Sequence, residues 1–165
     1  MKTLKTALLV SVFLFSFFAC NSDDEGSFQI KYSSEDLVKL TGEDFKHWGI
    51  QAYYANYNQK ILHDKSTCYT DDIFVFQNGS NEIMVIPGEV SCNLGEPEDE
   101  ITTASYEFYE EDGLIFISIS KAVSVNDVIK NTFFSLQLVE LTDTQMIFAS
   151  GEKGDYKVAI VFVAV

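Results

Sequence analysis

The sequence predicts an all-β domain: a single up-and-down antiparallel β-barrel of about eight strands, preceded by a short N-terminal helix. Three observations carry this expectation. Segments dense in Phe, Tyr, Ile, Val and Thr recur along the chain, separated by short polar turn signals. Ile115, Ile117 and Ile119 alternate with Phe116, Ser118 and Ser120, the period-two pattern of a strand with one face turned inward. Only two prolines interrupt the chain, so ladders run without lost donors. Consecutive strands joined by tight turns leave two exposed edges, and closure into a barrel removes both.

The elements follow in order. Ser34 caps a helix over 35–40, with Glu35 and Asp36 in its first turn, Lys39 late and Gly42 as its stop. Strands are expected over 48–54, 73–77, 83–86, 102–109, 114–120, 132–141, 145–149 and 157–164. Turns fall at Asn78-Gly79, Asp112-Gly113, Thr142-Asp143 and Lys153-Gly154. Residues 121–131 are left as a loop or a short helical turn. The last strand, Val158-Ala159-Ile160-Val161-Phe162-Val163-Ala164, is apolar on both faces and needs cover on both. The N-terminal helix is the expected cover outside the barrel.

The N-terminus reads as an address. Lys2 and Lys5 flank an uncharged run over 7–19, too short for a membrane helix, which needs roughly 17–25 residues. A basic flank, a short apolar run and Ala19 before Cys20 mark a removed secretory signal. Phe17-Phe18-Ala19-Cys20 resembles a lipobox, whose cysteine takes a diacylglycerol and becomes the new N-terminus. Residues 1–19 are then a lipoprotein signal peptide, 20–32 the lipidated Cys20 with an acidic linker, and 33–165 the barrel domain. Ser22-Asp23-Asp24-Glu25 is similar to the acidic export signal of surface lipoproteins of Bacteroidota. The expected location is the outer membrane, lipid-anchored, facing the periplasm or the cell surface.

Composition narrows the partners. The formal charge is −14, every basic residue is lysine, and no arginine occurs. Such a surface repels phosphate backbones and offers no guanidinium fork for bidentate contacts. No nucleic-acid partner is expected, and the lipid at Cys20 is the only membrane contact. With Cys20 consumed, Cys68 and Cys92 are left as a pair in an oxidising compartment. A disulfide between them would close a loop of about 24 residues and contribute about 3 kcal/mol; the alternative is two buried thiols.

A family resemblance rests on several short pieces. These are Leu40-Thr41-Gly42 ending the helix, Lys46-His47-Trp48 opening the first strand, the segment from Cys68 to Phe76, and Cys92 before Gly95-Glu96. Together with the meander they look like the lipocalin-like lipoproteins of Bacteroidota, over nearly the whole exported part. Gly42 and Trp48 stand farther apart than the glycine and tryptophan of lipocalins. The resemblance implies that Trp48 plugs one end of the barrel and that a small apolar ligand is held inside.

Candidate sites follow. Trp48, Tyr54, Phe74, Phe76, Phe108 and Phe116 are the rings expected to line a ligand cavity; the alternative is that they fill the core, because an eight-stranded barrel is only just wide enough for its side chains. Asp71 and Asp72 cap a turn or hold a cation, with turn capping favoured because calcium wants six to eight oxygens. Glu96-Pro97-Glu98-Asp99-Glu100 and Glu110-Glu111-Asp112 read as solvated loops or as a docking surface for a basic envelope partner. His47 and His63 belong to no nucleophile signature, so no enzymatic activity, cofactor or metal is expected.

Overall fold

The computed structural model describes residues 30–93, 99–125 and 127–165. The predicted signal peptide, Cys20, most of the linker, and Glu96, Pro97 and Glu98 lie outside the described residues. The chain opens with a 3-10 turn, Ser34–Asp36, continued by α1 (Leu37–Thr41). The Asp36 carboxylate accepts the Ser33 N–H at 3.0 Å, so the cap sits one residue before the expected Ser34. Gly42 ends the helix at φ 71°, where a Cβ would stand 2.9 Å from the Phe45 carbonyl oxygen.

Nine strands follow among the described residues: β1 (Phe45–Asn56), β2 (Ile61–Leu62), β3 (Ile73–Gln77), β4 (Glu82–Ile86), β5 (Ile101–Tyr109), β6 (Leu114–Val125), β7 (Val128–Leu141), β8 (Gln145–Glu152) and β9 (Asp155–Ala164). A short helix, α2 (Thr67–Thr70), lies between β2 and β3. From β3 onward each strand pairs antiparallel with the next, and β9 returns to β1 from Trp48↔Ala164 to Tyr54↔Ala159. The result is a closed eight-stranded barrel, with β2 a two-residue flap on the upper part of β1. The wall is thinnest between β4 and β5, which share only the pairs Glu82↔Ser105 and Ile83↔Ala104.

Two expectations change. Residues 121–131 are neither loop nor helix: β6 and β7 pair without interruption from Phe116↔Gln137 to Val125↔Val128, a long hairpin with Asp127 at positive φ in its tip. The helix does not cover β9. Ala159 and Val161, on the outer side of β9, are buried with Ile147 and Ala149 under Tyr54, Tyr57, Val139 and Tyr156. Instead α1 seals one end of the barrel, with Leu40 fully buried and its carbonyl accepting the Trp48 indole N–H at 2.8 Å.

The interior is one apolar cluster. Trp48, Phe74, Phe76, Ile115, Ile117, Ile119, Leu138, Met146, Phe148, Ile160 and Phe162 all have 0 % accessible surface. No void large enough for a water molecule adjoins these side chains. Phe162 sits at the middle, edge-on to Phe74 at 5.4 Å and to Phe148 at 5.9 Å, an arrangement ring quadrupoles favour.

Candidate functional site: a buried charge cluster under the disulfide

Along β6 the inward positions are Ile115, Ile117 and Ile119, then Lys121, then Val123. The strand's period leaves Lys121 no choice of face: its ammonium enters the barrel at the end opposite Trp48. The side chain is 2 % exposed. An isolated ammonium there would cost many kcal/mol, so it must be compensated. Two carboxylates do so. Asp72 Oδ2 lies 2.7 Å from Lys121 Nζ, and Glu100 Oε1 lies 3.2 Å from it. The face of Tyr69 lies 5.3 Å from the same nitrogen.

Each carboxylate is held by backbone. Asp72, at the exit of α2, accepts the Gly88 N–H on Oδ1 at 2.9 Å, while Asp71 accepts the Val90 N–H at 2.9 Å. The two aspartates thus fasten the distant loop after β4 rather than cap a local turn, and Asp72 is buried with Lys121 rather than solvated. Gly88 is required at this approach, because a Cβ there would stand 2.2 Å from the Asp71 carboxyl. Glu100 accepts the Ser91 hydroxyl at 2.9 Å, the Cys92 N–H at 3.0 Å and the Asn93 amide at 3.2 Å. Asn93 also donates to the Lys121 carbonyl at 2.9 Å, and its own oxygen accepts from Lys65 Nζ at 3.3 Å and from Thr132 at 3.2 Å. Cys68 and Cys92 form the expected disulfide, which fixes the 91–93 segment to α2 directly above the cluster.

Burial is the largest influence on Asp72 and pushes its carboxyl pKa up, against the Lys121 ammonium and the Gly88 N–H. Burial also raises the Tyr69 phenol well above its ordinary value, with Tyr53, Glu100 and Asp72 adding to the effect. The site is therefore a dry triad of one amine and two carboxyls, one of them biased towards its protonated form.

The six expected cavity rings do not converge on an opening. Trp48, Phe74 and Phe76 point inward and pack without exposure; Phe108 is partly buried against the same core. Tyr54 lies on the outside against Tyr57, and Phe116 on the outside against Tyr109. Tyr54 changes face because β1 carries a bulge between Ile50 and Ala52, after which Tyr53 is the inward ring. Glu100 is not a solvated loop residue: its side chain is 3 % exposed. Glu110, Glu111 and Asp112 are exposed at the β5–β6 turn.

Sequence reasoning named Asp72 and Glu100 but missed Lys121 and its pairing with them, although one signal was present: Lys121 continues the inward series of isoleucines. No family model matches this chain, and neither curated proteins nor solved structures include a match.

Proposed function

We propose that this protein is a lipocalin-like lipoprotein, anchored in the outer membrane through Cys20, that acts through the outside of a solid barrel as a non-enzymatic interaction module. One observation supports the choice over a ligand container: the central side chains from Trp48 to Phe162 have no accessible surface. A fatty acyl chain needs a preformed apolar cavity, commonly of several hundred Å³, and no water-sized space adjoins those rings.

The outside offers a surface for a partner. Phe45, Met84, Ile101 and Phe133 are each at least 60 % exposed. Met84 and Phe133 border grooves of about 330 and 470 Å³ that meet at Glu82 and Ile83, beside the thin β4–β5 seam. Exposed apolar side chains bordering adjoining grooves, as Phe45, Met84 and Phe133 do here, are features of interaction sites. With a formal charge of −14, the complementary partner is an envelope protein presenting an apolar patch ringed by lysine or arginine.

Native mass spectrometry of the gently extracted protein tests the choice. The expected result is an unliganded barrel, no uptake of a fluorescent fatty acid, and a protein partner that is lost in high salt and on Phe133→Glu. Stoichiometric fatty acid in the barrel would overturn this reading in favour of the small apolar ligand. Metabolic labelling with an alkyne fatty acid tests the anchor: label is expected on the wild type and absent from Cys20→Ala.

A further inference from the structure

We propose that Lys121 and Asp72 become joined by a covalent amide between Lys121 Nζ and Asp72 Cγ, formed within the folded chain with Glu100 as the proton carrier. Four features of the cluster meet the needs of that reaction. The nucleophile and the electrophile are held together by opposite walls of a rigid barrel, with nitrogen and carboxyl oxygen 2.7 Å apart; such placement is worth effective molarities of about 10⁵–10⁸ M. Among the described residues Asp72 Oδ2 has no well-aligned hydrogen-bond donor, and its charged neighbour is the Lys121 nitrogen.

The site is also dry. All three side chains are 3 % exposed or less. Proton transfer within the Lys121–Asp72 pair gives an amine facing a carboxylic acid and removes one buried charge of each sign; a desolvated lysine is a competent nucleophile. Dryness also keeps out the water that would reverse amide formation. The Gly88 N–H, already 2.9 Å from Asp72 Oδ1, is placed to stabilise negative charge on that oxygen as the tetrahedral centre forms. Glu100 lies 3.2 Å from Lys121 Nζ, and its other oxygen is fixed by Ser91, Cys92 and Asn93, so it is oriented as a general base and then acid.

The balance is simple. The amine lone pair forms the N–Cγ bond. Glu100 takes a proton from nitrogen and delivers it to the Asp72 Oδ2 hydroxyl, which leaves as water when the C–O bond breaks. One amide is gained and one water lost, with no oxidant, cofactor or external reagent. The bond would staple the start of β3 to β6 across the barrel mouth, beside the Cys68–Cys92 disulfide.

The test is mass spectrometry of the full chain after reduction, against Glu100→Gln prepared in parallel. Once the substitution is accounted for, the wild type is expected about 18 Da lighter than the variant, the mass of the one water lost on amide formation. Its digest is expected to contain a branched peptide joining the segments that carry Asp72 and Lys121. Lys121→Arg and Asp72→Ala are expected to give linear peptides only. A folded, disulfide-bonded wild type with a linear Lys121 peptide overturns the proposal, and that readout decides even if every variant fails to fold. A deficit that maps instead to a succinimide at Asp112-Gly113 also overturns it.

Discussion

At the scale of single residues, one inward position on β6 sets the chemistry of the whole barrel end. Lys121 replaces what the pattern reserves for an aliphatic side chain, and Asp72 and Glu100 are there because an ammonium in that position requires them. Lys121→Met leaves two buried carboxyls facing each other without a cation. Removing one partner of a buried ionic group typically costs about 3–5 kcal/mol, so the urea midpoint should fall by that equivalent. Lys65, which reaches Asn93 and Thr132 from the rim, stands nearer solvent, and its truncation should cost much less. Much of this was hidden in the sequence. Lys121 falls in a segment, 121–131, whose periodicity does not decide between loop and helical turn, and Glu100 falls in an acidic run that reads as solvated. Both belong to long-range contacts that no local window contains: Lys121 meets Glu100 and Asp72 only when the barrel closes.

At the scale of elements, the loop after β4 is the least regular part of the described wall, and three devices hold it: Asp71, Asp72 and the disulfide. Gly88→Ala drives a Cβ into the Asp71 carboxyl, so the loop must move and both aspartate contacts loosen. The expected loss is about 1–3 kcal/mol, the usual cost of overpacking, read as a lower thermal midpoint. Replacing Cys68 and Cys92 by alanine frees the same loop in the unfolded chain as well; a separation of 24 residues corresponds to about 3 kcal/mol in the chain-entropy model. A loss near zero would mean that the aspartates alone fix the loop. Strand existence was legible from composition and turns; strand ends were not, since β6, β7 and β8 all extend past their expected limits. The helix and β9 show the same limit from another side. Apolar faces on both could be read, but not which neighbour covers them, and Tyr54 and Tyr57 took the place assigned to the helix.

For the whole molecule, burial of phenols makes a pH prediction. Tyr32, Tyr53, Tyr69 and Tyr106 all have raised phenol pKa values, with desolvation the first cause in each. The native state therefore holds phenolic protons more tightly than the unfolded chain. Stability from this source is fully present below the unfolded phenol pKa of about 10 and is lost as pH rises from there towards the raised native values. Absorbance at alkaline pH should show these four phenols ionising only as the protein unfolds cooperatively; their smooth titration without unfolding would contradict the burial described. Closure of the barrel was readable from the chain, because an unbroken meander has no other economical way to hide its edges. Whether the rings filled the barrel or lined a cavity was not, since six aromatic positions fit either. The bulge in β1 decided the place of Tyr54 and is invisible to a strict period of two.

The central claim is that this barrel is solid. Trp48 is the sole tryptophan, lies inside the barrel and is fully buried among the core side chains, so its fluorescence reports on that interior alone. Titration of the folded protein with a brominated fatty acid, a contact quencher, is the direct measurement. The account predicts unchanged Trp48 emission to saturating concentration, and saturable quenching at one ligand per chain would contradict it.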